Sequence, residues 1–154
     1  MTHGIVTAPQ PEAVEAGAET LKAGGNAVDA AISCALVQTA VDPQMCGIAG
    51  FGSMHLYHPG KNKHIVLDFH GRAPKTVTED MWQNLIEHEA EDGFGFILKG
   101  RVNEMGYQSI TTPMSLRAYA AALECLGTMD LETLIQPAID YAQNGFIVRP
   151  HVSY

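Results

Sequence analysis

Between Ala23 and Gly60 the chain carries two carboxylates, Asp29 and Asp42, and neither a lysine nor an arginine. Apolar side chains gain by leaving water, and a stretch this poor in charge offers few groups that hydration would hold outside. It must be covered on most sides, and a chain of 154 residues has little interior in which to cover it. The remaining composition excludes several kinds of partner. Nine Lys and Arg against 17 Asp and Glu leave a net charge of −8, and no basic cluster exists that could neutralise phosphate, so neither nucleic acid nor an anionic membrane surface is expected. With 46% hydrophobic residues the chain is not disordered. The longest apolar run, Ala27 to Val41, is interrupted by Asp29, Ser33 and Gln38 and falls short of the ~20 residues of a membrane span. It reads as a buried helix.

The start, Met1-Thr2-His3-Gly4, has no basic region before an apolar run, so the chain as written is expected to be cytoplasmic, with export of a longer parent left open. Cys34, Cys46 and Cys125 lie far apart without a CxxC spacing. Ordinary reduced thiols are expected, and neither a disulfide framework nor a metal site.

Hydrophobic spacing and breaker residues order the rest. Gly4 to Ala8 leans towards a strand and Glu12 to Ala23 towards a helix stopped by Gly24-Gly25. Asn26 stands where an N-cap belongs, with Asp29 as its capping-box partner, ahead of a small-residue helix, Ala27 to Thr39. After the glycine-rich loop Gly47 to Gly52, the runs Ser53 to Tyr57 and His64 to Phe69 read as a hairpin turning at Pro59 to Lys63. Thr78 is placed to cap a helix from Glu79 to about Ala90. Thr112 and Pro113 read as the cap and first position of another helix ending near Leu126, and a last one begins near Leu131 or Pro137 and stops at Asn144-Gly145. No linker or repeat divides the chain, so residues 1–154 are expected to form a single unit.

Candidate chemistry is sparse. The glycine loop follows a helix and precedes a strand, with no Lys-Ser or Lys-Thr after it, which is the wrong order for a dinucleotide or phosphate cradle. It reads as a place where backbone passes close to backbone. His55 and His58 fall on opposite faces of a strand, so a shared metal is not expected. Asp68 ends an apolar strand and needs a partner. Arg72 is the nearest candidate in sequence, and a structural ion pair and a substrate role both remain open. Thr111 and Thr112 are explained by capping rather than by nucleophilic attack, which for Thr needs a free amino terminus.

Read in order, Ile5-Val6-Thr7-Ala8-Pro9, Leu21 to Ala31 with its GGNAVDAA string, Val41-Asp42-Pro43-Gln44, Gly47-Ile48-Ala49-Gly50, Leu67-Asp68-Phe69 with Ala73-Pro74, Leu134 to Ile139 and Gly145 to Val148 form one series. It resembles the amino-terminal part of the γ-glutamyltranspeptidase family, over essentially the whole chain. The resemblance implies an α/β (α+β) fold, the amino-terminal portion of a four-layer αββα amino-terminal-nucleophile hydrolase. It implies a precursor that cleaves itself into a large and a small subunit. The new amino-terminal Thr of the small subunit then attacks γ-glutamyl amides such as glutathione and passes the acyl group to water or an amine. No catalytic residue is expected in this chain, and no cofactor. The expected partners are the remainder of the large subunit, the small subunit and the amide substrate, with self-association through the uncovered apolar face for the chain alone. An acylase acting on a non-glutamyl amide, and a non-catalytic binding module, are the alternatives. The family commonly places a carboxylate-binding Arg where this sequence has His70. Arg72, two residues on, would share a side with it in extended backbone, so His70 and Arg72 are the candidate substrate-binding residues. Met114 stands where the family usually has Gly.

Overall fold

Asn26 closes its capping box as its position demands. In a computed structural model, which describes residues 4–150, its Oδ1 accepts the Val28 and Asp29 amides at 2.7 and 3.2 Å, and Asp29 Oδ2 accepts the Asn26 amide at 2.8 Å. Helix α2 (Ala27–Val41) starts there, preceded by α1 (Pro11–Lys22), whose first position is a proline that needs no amide partner. The two helices pack through small residues. Ala13, Ala16 and Gly17 are buried on α1, and a Cβ on Gly17 would stand 3.1 Å from the Ala30 carbonyl of α2. Only glycine permits that approach.

The chain divides into two compact units, one made of the residues up to His70 together with those from Met114 onwards, the other of Gly71–Pro113. In the first, α2 is the central element. It packs against α1, against α3 (Ser115–Leu126) and against α4 (Leu131–Asn144), and Ile32, Leu36, Val37 and Val41 are within 1% of complete burial. The two carboxylates of the charge-poor stretch are buried with it. Asp29 is at 0% exposure and Asp42 at 4%. Asp42 accepts the side-chain amides of Gln10 at 3.1 Å and Gln38 at 3.0 Å. Strands β1 (Ser53–His58) and β2 (Lys63–Asp68) form an antiparallel hairpin, closed by a short 3-10 turn at Pro59–Lys61 and by Asn62 in the left-handed region at φ 47°. Met54, Leu56, Ile65 and Leu67 join the core from one face of it.

In the second unit β3 (Ile86–Glu89) pairs antiparallel with β4 (Phe96–Leu98). The helix expected over Glu79 to Ala90 does not form. Ile86 pairs with Leu98, which is 3% exposed, and this non-local pairing outweighs the helical spacing of the segment. Gly4 to Ala8, expected to lean towards a strand, has no regular secondary structure.

The start of α3 also departs from expectation. Thr112 does not cap it: the residue at the N-cap is Met114, no side chain accepts there, and the Thr112 amide donates to the Arg72 carbonyl at 3.0 Å. The free amides of Met114 and Ser115 are taken by the Gly50 carbonyl at 3.1 and 3.3 Å, so the glycine loop is the cap. The loop is tight as well. The Gly50 amide donates to Gly47 O at 3.1 Å, and a Cβ on Gly50 would meet that oxygen at 2.9 Å. A Gly50→Val variant is expected to lose about 1–3 kcal/mol of stability, read from urea unfolding followed by circular dichroism. An unchanged midpoint would show that the loop absorbs a side chain without cost.

Candidate functional site

Pleating decides what the end of the hairpin presents. Successive side chains of β2 point to opposite faces, so Leu67 and Phe69 turn inward while Asp68 and His70 turn outward. Phe69 is the anchor. It is 7% exposed, meets Tyr119 edge to face at 6.1 Å, and lies on Gly52, where a Cβ would stand 3.1 Å from its ring. Its amide donates to Gly52 O at 3.0 Å, which ties the end of the glycine loop to the end of the strand.

Outside this anchor, Asp68 Oδ1 accepts the His70 amide at 3.1 Å and lies 2.8 Å from His70 Nδ1. Asp68 is therefore paired with His70. The contact sets the imidazole: with Nδ1–H donating to the carboxylate, Nε2 is the nitrogen left to meet a ligand. Phe51 stands beside the ring, with centroids 5.7 Å apart and planes at 36°, and is itself 66% exposed. An imidazole oriented by a carboxylate and flanked by an aromatic ring can accept a hydrogen bond at Nε2 from an acyl group's polar end and offer an apolar wall to its chain. The Phe51 contribution was not legible in the sequence, where that residue is only one position of a glycine-rich loop.

Arg72 lies in the other unit, exposed, its backbone held by the bridge to Thr112. Two of the three thiols are held back. Burial raises the Cys34 thiol above its ordinary pKa, and burial together with the Asp42 charge raises that of Cys46, which keeps both protonated and poorly reactive. Thr111 and Thr112 sit inside the chain and have no free amine. Among the described residues no group of three or more His, Cys, Asp or Glu is arranged to hold a metal ion.

Residues 13–154 match the γ-glutamyltranspeptidase family as a whole. The chain belongs to that family. It is 36% identical to the acylase ACY 1 proenzyme of Pseudomonas sp. (strain V22), over 99% of this chain and 26% of that protein. It is 34% identical to the glutathione hydrolase proenzyme of Bacillus subtilis (strain 168), over 93% of this chain and 23% of that one. The crystal structure of the Helicobacter pylori γ-glutamyltranspeptidase superposes with a TM-score of 0.83 at 28% identity, covering 98% of this chain and 40% of that chain. The chain thus spans about a quarter of the length of the curated relatives it matches. Its mixture of helices and strands is that of an α/β fragment of the γ-glutamyltranspeptidase branch of the amino-terminal-nucleophile hydrolases.

Proposed function

We propose that this chain is the amino-terminal segment of an amide hydrolase or acyltransferase, and that it contributes one wall of the acyl-group pocket through His70, Asp68 and Phe51. The nucleophile is an amino-terminal Thr exposed by self-cleavage in another part of the enzyme. Attack on the substrate carbonyl gives an acyl-enzyme and releases the amine, and water or a second amine then takes the acyl group. The exposed side chains of Ile5, Met45 and Ile147 are assigned to contacts with the remainder of the large subunit and with the small subunit.

Two acyl groups compete for the pocket, a γ-glutamyl group of the glutathione type and a carboxylic acyl group without an α-amino acid end. The observation that favours the second is the Asp68–His70 contact. With Nδ1–H held by Asp68, the neutral imidazole turns a lone pair outward at Nε2 and offers a substrate carboxylate no donor, where a guanidinium offers a matched pair. The similarity to an acylase over 99% of the chain supports the same reading. Profiling the complete enzyme against a γ-glutamyl anilide and a non-glutamyl acyl anilide tests it, and the second is expected to be the better substrate. A strong preference for the first would return the γ-glutamyl reading to the front. Arg72 is tested separately. If its guanidinium grips a substrate carboxylate, Arg72→Lys raises KM about tenfold with little change in kcat, since the bidentate contact is lost while the charge is kept. Unchanged kinetics would remove Arg72 from the pocket.

A further inference from the structure

The hairpin carries a second pair of imidazoles that the acyl-group pocket does not use. In the β1–β2 register His55 lies opposite Val66 and Tyr57 opposite His64. His55 and His64 are thus diagonal neighbours on the same, outward face, within reach of each other's side chains. The two rings stack with centroids 4.7 Å apart and planes at 23°, and their Nε2 atoms approach to 2.5 Å. Tyr57 closes one side, its ring edge-on to His64 at 5.7 Å. Both histidines are exposed.

We propose that His55 and His64 form a two-imidazole chelate for a divalent transition-metal ion. The 2.5 Å approach of the two Nε2 atoms brings them within reach of a single ion. Two neutral rings whose Nε2 atoms lie this close can turn both lone pairs onto one ion by small rotations about their side-chain bonds. A zinc ion held at about 2.0–2.1 Å from each nitrogen, with the ligands at about 90–110°, separates them by roughly 2.8–3.4 Å. Small rotations of two exposed side chains supply that opening, and the backbone need not move. The donor set is all imidazole, which selects copper, nickel and zinc over magnesium, calcium and manganese. Water completes the coordination, because the face is open and the described residues bring no third His, Cys, Asp or Glu to it. The site therefore exchanges its ion readily. The net charge of −8 favours accumulation of cations about the protein.

The test is a titration of the untagged chain with Ni2+ and with Zn2+ at slightly alkaline pH, where imidazole is neutral. Binding is followed by calorimetry, and the ring Cε1–H resonances by NMR. One ion per chain is expected, with the His55 and His64 resonances moving together. His55→Gln and His64→Gln should each weaken binding about tenfold or more, while His58→Gln leaves it unchanged and Mg2+ does not bind. Either position is exposed, so the variants fold, as circular dichroism will verify. An absence of binding, or binding that survives either His55→Gln or His64→Gln, overturns the proposal and leaves the rings a proton-sharing pair only.

Discussion

Asp29→Ala is expected to lower the stability of the chain by roughly 3–5 kcal/mol, the range for removing one partner of a buried charged network. The carboxylate is at 0% exposure and accepts from four donors. The Asn26 amide comes at 2.8 Å from the start of its own helix. The Thr128 amide at 2.9 Å, the Thr128 hydroxyl at 2.5 Å and the Met129 amide at 3.2 Å come from the turn between α3 and α4. Alanine removes the acceptor that these part-buried donors share and detaches that turn from α2. Urea unfolding followed by circular dichroism reads the loss. Thr128→Ala is the graded comparison, since it removes the hydroxyl and keeps the two backbone donors of the turn, and about 1 kcal/mol is expected. A loss below about 1 kcal/mol for Asp29→Ala would mean that the turn holds its place without the carboxylate.

The same residue sets a pH dependence. Burial alone raises the pKa of Asp29, but the hydrogen bonds from the Thr128 side chain and from the Asn26, Thr128 and Met129 amides outweigh it and hold the carboxyl below its ordinary value. The folded state therefore binds the proton less readily than the unfolded chain. The stabilisation is fully present above the unfolded carboxyl pKa of about 3.9 and disappears as the pH falls through the lower folded value. Stability measured from neutral pH downward should fall more steeply for the native chain than for Asp29→Asn across that acid window. Parallel curves would show that Asp29 does not contribute to the acid limb.

His70→Arg, made in the complete enzyme, is expected to raise kcat/KM for a γ-glutamyl substrate relative to a non-glutamyl acyl amide by roughly ten- to a hundredfold. A hydrogen bond to a charged group is worth about 1.5–3 kcal/mol, and 1.4 kcal/mol is a factor of ten. The gain should lie mainly in KM, because a guanidinium that grips the distal carboxylate acts on ground state and transition state alike. The His70 side chain is 62% exposed, so the exchange leaves the fold intact and thermal unfolding serves as the control. An unchanged ratio of the two substrates would place acyl-group discrimination elsewhere and separate His70 from it.

Local chemistry made much of this legible. The capping box at Asn26 and Asp29 depends on residues three apart, and it formed as read. The hairpin followed from strand alternation bounded by turn residues, and the close backbone approach at Gly50 from glycine spacing. The expected helix over Glu79 to Ala90 failed because Ile86 meets Leu98, a partner that no local window contains. The cap at Thr112 failed for a related reason: Thr and Pro carry the right local signal, but the Gly50 carbonyl reached the α3 amides first. At the candidate site His70 was identified through the family's order of residues, whereas its pairing with Asp68 and the flank of Phe51 depend on how Phe69 is anchored against Tyr119 and Gly52.

The amino-acid sequence by itself determined the order of most elements and the need to cover the charge-poor stretch from Ala23 to Gly60, because these follow from composition and from spacings within a few residues, while the family was read from the resemblance of its ordered motifs. Only the tertiary structure decided what its two carboxylates do. Asp29 gains its Thr128 and Met129 donors from some 100 positions away, and Asp42 gains Gln10 from 32 positions away. A buried charge is tolerated only where several donors converge on it, and convergence of that kind is a property of the packed chain.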